Sequence, residues 1–545
     1  MQRRLELMIW TGVVSLLTAA LPLFLCLPLW ADATHYDLCA RNLLRGGVLY
    51  RDLFDMNLPG MVWLHATVRS LAGWRSETLR VADMLVVTAV ATLLFHWSKG
   101  KVARTARAGA ALALYAFYFS LTEWCHCQRD VWMLVPALLA LHLRRRQLER
   151  IALLKSSPIP LVAWSALEGL IWGFGIWIKP FVLVVCIASW FAGVLIVRRA
   201  WRGRIVMDGI GLIIGGLLIG GAGCAWLWHS GSLPYMCHIF LDWNPEYYRH
   251  PIGILTRSKL LCHALAPWCW LHFAAVPCAV IALGEAFRAG RAMQPDSVQG
   301  QRALLSAFYL AWLLQAAYLQ QPFDYVLAPA ICIAIALVAQ FKWLPESPRL
   351  RWAIVTAFAV MVGQRFALFQ DGRLALWTRC WQGSSAALRD RLRLVRDANS
   401  PGWSELERVA AELRRRQVKD GELTCFHNSP QPLYLDLDVR PSTPFLHFGT
   451  ILLFFPSRHQ EIRHTLQTSR QRYVVSDLLA AGLTPAQVAA DAPDSCTLPP
   501  GFPAALRSVF PWSQPVVFRA GRFVVHGVRG TVRALTSNSG EFGYE

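Results

Sequence analysis

The sequence predicts a polytopic α-helical membrane protein that ends in a small α/β domain. Three observations predict it. Of 545 residues, 55% are hydrophobic and only 16% are charged, where a soluble chain carries roughly a quarter. Apolar stretches of bilayer-crossing length recur as far as residue 370 and then stop. Lys and Arg collect between alternate apolar stretches, as the positive-inside rule requires of a membrane protein.

The same arithmetic excludes intrinsic disorder, collagen and coiled coil. The net charge of +20 would suggest nucleic acid in a soluble protein. Here the basic residues sit between apolar spans, which accounts for them without a nucleic-acid partner. The 24 Trp suit interfacial aromatic belts. The 14 Cys are scattered, many inside apolar runs, where they act as small hydrophobes and not as a disulfide framework.

In chain order the expected spans are 9–30, 79–97, 104–121, 131–143, 159–177, 180–197, 206–229, 261–283, 303–319, 325–341 and 352–368, about eleven helices. The first reads as a retained helix, because PLWADAT at 28–34 offers no clear small-residue cleavage signal after a long apolar run. With Arg3 and Arg4 inside, the basic clusters at 99–107, 144–155, 198–204, 288–302 and 342–351 all fall in inner loops. The first long loop (31–78), a second (230–260) and the C-terminus are then outside. Residues 1–369 form the membrane core, and 370–545 form the outer α/β domain.

In that outer domain, Ser404 and Glu407 have capping-box spacing ahead of a helix running through Arg416. Runs at 422–427, 432–437, 472–475, 516–518 and 523–528 read as strands, 457–469 as a helix, and 529–545 as a frayed tail.

Ionisable groups at membrane depth or at a bundle mouth are costly and mark function. On the outer side the acids are Asp32, Asp37, Asp52, Asp55, Glu123, Asp130, Asp242, Glu246 and Asp324, so the acids cluster at one surface. Asp32 and Asp130 both stand where a helix meets that surface. Two such carboxylates can serve as base and orienting group or share a divalent cation. Alternatively each caps a helix or pairs with Arg129 or Arg41. Lys179 stands between two apolar spans, where it would hold a lipid phosphate or simply snorkel to the interface. Cys125-His126-Cys127 has the wrong spacing for structural zinc, and there is no Walker A loop.

Residues 32–60, DATHYDLCARNLLRGGVLYRDLFDMNLPG, carry a recognisable pattern. It resembles the first outer loop of GT-C membrane glycosyltransferases of the protein O-mannosyltransferase and aminoarabinose-transferase type, and of rhizobial galacturonosyltransferases. The matching positions are Asp32, Tyr36, Ala40, Gly46, Tyr50, Asp52, Asp55, Pro59 and Gly60. The segments Cys127–Asp130, Ile178-Lys179-Pro180, QQPFDYVLAP at 320–329 and the run at 423–445 resemble further family elements in the same order. Where the family often has Asp-Glu, this chain has Asp32-Ala33. Its late element lacks the usual Lys and His.

The resemblance implies transfer of a sugar from a polyprenyl-phosphate donor to a lipid, glycan or protein acceptor, at the outer face of a bacterial inner membrane. It implies Asp32 and Asp130 as catalytic residues, with Lys179 and Arg129 on the donor phosphate. Replacing Lys179 with Met is expected to weaken donor use far more than folding, with stability falling by under about 1 kcal/mol. Tyr36, Tyr50, Asp52, Asp55, Gln320 and Tyr325 would bind substrate. The cofactor is open; a divalent cation, if any, would use Asp32 and Asp130. The other classes consistent with the sequence are a non-enzymatic protein and a transporter of cell-envelope glycolipids.

Overall fold

The computed structural model describes residues 2–29, 31–97, 104–152, 158–197, 202–249, 252–289, 297–341, 347–395, 400–489 and 514–528. The tail at 529–545 lies outside them, as do Lys99, Lys101, Lys155, Arg198, Arg199, Arg291 and Lys342.

The chain divides into two compact units. The first comprises residues 1–40, 57–234 and 251–395, and the second 41–56, 235–250 and 396–545. The second unit thus draws on both long loops of the sequence reading, and residue 370 falls within the first.

The first unit is helical. Its opening helices are α1 (Gln2–Cys26), α2 (Asp32–Leu44, which continues into the second unit), α3 (Gly60–Ala72) and α4 (Ser76–Trp97). Then come α5 (Arg104–Ser120), α6 (Arg129–Ala152), α7 (Pro158–Ile178), α8 (Val182–Val197) and α9 (Arg202–His229). Four more follow at Leu271–Ala289, Val298–Leu314, Ala328–Val338 and Pro348–Arg365. Each expected apolar stretch overlaps one of these helices, although 261–283 begins on a separate helix, Ile254–His263. Among the described residues, six helices are long and apolar enough to cross a membrane, and three shorter apolar helices accompany them.

The first long loop is not a loop throughout. α2 and α3 occupy much of it, tied by a buried cluster in which Asp37 accepts from Arg69 Nε (2.9 Å) and Nη2 (2.5 Å) and meets His65 Nδ1 at 2.9 Å. Asp37 is therefore spent on holding the two helices together.

α7 and α9 pack closely. A Cβ on Gly215 would lie 1.9 Å from the Ala166 carbonyl oxygen, and one on Gly169 would lie 2.2 Å from that of Leu212. The Gly-rich span is a packing surface, as small residues in membrane helices usually are.

The second unit holds a four-stranded sheet of order β1-β2-β4-β3: β1 (Leu423–Cys425), β2 (Tyr473–Asp477), β3 (Val516–Ala520) and β4 (Phe523–Gly527). β1 runs parallel to β2, and the other pairs are antiparallel. Four of the five expected strands are present. The fifth, 432–437, is the helix Pro432–Leu437. Proline at its first position pre-sets a helical φ and removes a donor that a helix start leaves unused. An apolar run this short has no periodicity to separate strand from helix.

The helix Trp403–Arg415 buries Trp403, Leu406, Val409, Ala410 and Leu413, an i, i+3, i+7 stripe. Its N-cap is Gly402, so Ser404 lies inside the first turn and the expected capping box does not form. Below the sheet, Arg522 donates to Asp477 at 2.8 and 2.5 Å, both side chains buried.

The segment 41–56 is anchored within this unit. Arg41 donates to the Leu435 carbonyl and to Asp438, at 2.8 and 2.9 Å. Phe54 packs on Trp243, Phe445 and Phe455.

The helix contact gives a direct test. Gly215→Val should lower stability by about 1–3 kcal/mol, because the added side chain meets backbone that cannot move aside. Gly216→Val is the control, since nothing lies within 4 Å of its Cβ position. Thermal unfolding of the two variants in detergent checks the difference.

Candidate active site

The turn between α5 and α6 carries the densest set of functional groups. A 3₁₀ turn at Glu123–Cys125 leads to Cys127, whose φ of 58° lies in the left-handed region. α6 then begins at Arg129-Asp130. An acidic side chain in a first turn complements the positive end of the helix dipole.

This turn is held from below by Asp83 of α4. The buried Asp83 carboxylate accepts from the Cys127 N–H (3.1 Å), Tyr118 Oη (2.6 Å) and Trp132 Nε1 (2.8 Å). From above, Glu123 accepts from the N–H groups of Leu394 and Val395 at 3.0–3.1 Å.

Lys179 occupies the break between α7 and α8. Pro180 has no N–H and disfavours a helical residue before it, so the helix ends here. Gly60, a motif glycine at the head of α3, abuts this end. A Cβ there would lie 2.5 Å from the Trp177 backbone.

The lysine does not snorkel. It is 2% exposed, and its Nζ donates to both oxygens of Asp130 at 2.7 and 2.8 Å, Asp130 being fully buried. The expectation that its removal is nearly free is overturned by this pairing. Losing one partner of a buried ion pair strands the other charge out of water.

Asp32, in the first turn of α2, belongs to the same cluster. Gln128 and Tyr325 reach it with their side chains, and Arg129 and His35 bring positive charge near it. Burial pushes its pKa above the ordinary carboxylate value, and those four groups oppose the rise. Lys179 feels burial first, which lowers its pKa to about 8; Arg129 adds to this, while Asp130 and Asp32 oppose it. Arg129 lies beside Tyr36, Asp130, Tyr325 and Asp32 and donates to Asn57 Oδ1. Asn57 in turn donates to the Tyr36 hydroxyl at 3.5 Å.

The structure thus brings together Asp32, Tyr36, Arg129, Asp130, Lys179 and Tyr325. Gln320 is buried nearby in sequence, donating to Gln315, while its carbonyl accepts from Arg257 at 2.7 Å. Tyr50, Asp52 and Asp55 belong to the second unit. Tyr50 is buried with φ 69°. Asp52 accepts within its own loop from Val48 N–H (2.8 Å), Asn42 (3.3 Å) and Arg51 (2.7 Å). Asp55 is buried.

Sequence reading missed Gln128 and Asn57, which give no signal beyond adjacency to motif residues. The acids do not all cluster at one surface as the sequence suggests. Asp83, Glu168 and Asp208 are buried within α4, α7 and α9. Arg144 of α6, expected in an inner loop, pairs with Glu168 and Asp208 at 2.9 and 2.6 Å. Cys125, His126 and Cys127 are buried, with His126 Nε2 on the Tyr118 carbonyl at 3.0 Å.

A divalent cation shared by Asp32 and Asp130 fits this donor set poorly. Both oxygens of Asp130 already face an ammonium group, and the Arg129 guanidinium stands beside both carboxylates.

No protein-family model and no curated protein sequence matches the chain. Solved structures do. ArnT from Cupriavidus metallidurans bound to undecaprenyl phosphate superposes with TM-score 0.58 at 15% identity, over 97% of this chain and 99% of that one. The apo state of the same protein gives 0.54 at 14%, over 94% and 96%. An oligosaccharyltransferase from Archaeoglobus fulgidus in its apo form gives 0.48 at 12%, over 87% and 69%. The ArnT likeness gives this chain the GT-C fold that its motifs predict. With its apolar helices, the chain is an integral multi-pass membrane protein.

A double-mutant cycle tests the ion pair. Asp130→Asn and Lys179→Met should each cost about 3–5 kcal/mol of stability, while the double variant should cost clearly less than their sum. Additive losses in detergent unfolding would mean that the two side chains do not pair.

Proposed function

We propose that the chain transfers a sugar from a polyprenyl-phosphate donor to a hydroxyl of a lipid, glycan or protein acceptor at the outer face of a bacterial inner membrane. The observation that carries this is the convergence of Asp32, Arg129, Asp130 and Lys179 at helix ends, in a fold like that of a protein whose solved structure holds undecaprenyl phosphate. The Lys and Arg asymmetry supports the orientation.

In this reading the donor's tail lies in the bilayer and its phosphate is the leaving group at the surface. Asp32 takes the proton of the acceptor as the acceptor attacks the anomeric carbon. A carboxylate raised by burial is a stronger base near neutral pH than an exposed one. Arg129 and Lys179 offset the charge that develops on the departing phosphate, and Asp130 sets the position of the Lys179 ammonium. Tyr36 and Tyr325 border the sugar. A transport path built from the membrane acids is disfavoured, since Glu168 and Asp208 are both engaged by the buried Arg144.

Asp32→Asn is nearly isosteric and removes only charge and basicity. Transfer of labelled sugar from a polyprenyl-phosphate donor, measured with purified protein, should fall by at least about a hundredfold while thermal stability holds. Near-parental turnover would remove Asp32 from the chemistry.

The pH profile has two limbs. Activity should rise as Asp32 deprotonates, with a midpoint above that of an ordinary carboxylate. It should fall again as Lys179 loses its proton near about pH 8. Lys179→Arg should move the alkaline limb upward, because guanidinium keeps its charge there; an unmoved limb would assign it to another group.

Orientation has its own measurement. A cysteine replacing Ser469 should react with an impermeant thiol reagent added outside intact spheroplasts, in a background lacking other reactive cysteines. Reaction only after permeabilisation would reverse the polarity.

A further inference from the structure

The last stretch of the first unit, residues 366–395, lies across the helix ends as a strap. It contains the short helices Trp377–Cys380 and Ala386–Leu392. Trp377 Nε1 donates to the Thr18 carbonyl of α1 at 3.0 Å. Ser384 donates from its N–H to Glu77 of α4 (2.8 Å) and from its hydroxyl to the Cys26 carbonyl (3.4 Å). Its far end supplies the two N–H groups that hold Glu123, beside the turn that bears Arg129 and Asp130.

Where the strap crosses the end of α1, two cysteines meet. Cys26 Sγ donates to the Cys380 carbonyl oxygen at 3.4 Å, and the residues are 1% and 7% exposed. They are 354 positions apart in the chain. Cys26 precedes Asp32 by one short turn, so the pair lies at the same end of the helical unit as the proposed site.

We propose that Cys26 and Cys380 form a disulfide that fastens the strap to the first helix. The Cys26 sulfur already touches the Cys380 backbone, and disulfides persist on the outer side of a bacterial inner membrane. That compartment rests on the orientation proposed above.

The chemistry is thiol–disulfide exchange. The Cys380 thiolate attacks one sulfur of a disulfide exchange protein and releases one of that protein's thiols. Cys26, having lost its proton to solvent, attacks the Cys380 sulfur of the mixed disulfide and expels the second. One disulfide forms in this chain and one is reduced in the exchange protein. Exchange precedes docking of the strap, because docking buries both sulfurs. A crosslink closing so long a loop restricts the unfolded chain strongly.

The test uses the full-length protein extracted from its membrane in N-ethylmaleimide, then denatured and digested without reductant. Mass spectrometry should find the Cys26 and Cys380 peptides joined. Reductant should lower the thermal midpoint of the parent by at least a few degrees, yet leave a Cys26→Ser/Cys380→Ser variant unmoved. Maleimide on both cysteines of the unreduced protein would overturn the proposal, as would joining of either one to a different cysteine. The Ser469 labelling above separates a wrong orientation from a wrong pairing, since it reads the polarity without either cysteine.

Discussion

The ion pair between Lys179 and Asp130 constrains much of the candidate site. Moving either charge out of water costs several kcal/mol, and only close, bidentate geometry with a satisfied surround recovers that. The pair therefore couples two chain features that sequence alone leaves independent: the end of α7 at Pro180 and the start of α6 at Arg129. Gly60 lets α3 approach the same α7 end. Asp83 and Glu123 fix the turn that delivers Asp130, one by accepting from its backbone and the other by accepting from the strap. Arg129, adjacent to Asp130, is carried by this turn toward Asp32, Tyr36 and Tyr325.

Buried carboxylates of the helical unit are each given strong donors. Asp37 is paired with Arg69, Glu168 and Asp208 share Arg144, and Asp83 and Glu123 accept from side-chain and backbone donors. The cluster at the candidate site follows the rule as well, with two carboxylates, Asp32 and Asp130, and two cations, Arg129 and Lys179. A bilayer offers no water to solvate a bare charge, so each of these buried carboxylates is met by a cation or by hydrogen-bond donors. The networks differ in what they leave for chemistry. Arg144 is enclosed by its two carboxylates within α6, α7 and α9, while Asp32 retains partial exposure among groups that can donate or carry charge.

Much of this was legible. Apolar runs reported the helices, because a membrane span must be apolar over a fixed length, and the motifs at Asp32, Asp130 and Lys179 named three residues that do meet. The burial of Lys179 was not legible, because flanking Pro and apolar residues look the same for a snorkelling lysine and a paired one. Nor were Arg144, Glu168 and Asp208, whose partnership joins positions 24 and 64 residues apart. In the second unit the local signals misled in two places. Pro432 begins a helix where short apolar alternation suggested a strand, and Gly402 precedes a helix whose capping box fails to close.

The balanced cluster also limits how a phosphate could be received. An anion entering this site meets no surplus cation: Lys179 is already shared with Asp130, and Arg129 already faces Asp32. Binding must therefore redistribute existing contacts, and the gain is the difference between a charge-assisted contact to phosphate and the one it weakens. Such a difference grows as negative charge accumulates on the phosphate. An intact phosphodiester carries one negative charge, and the departing monoester carries more. A lysine held by a carboxylate thus interacts weakly with the bound donor and more strongly with the leaving group, which is the asymmetry that favours turnover over ground-state binding. Asp130 is therefore no spare carboxylate. Without it, Lys179 would be buried alone, with its pKa driven further down, and the cation would be lost at the pH where it is needed.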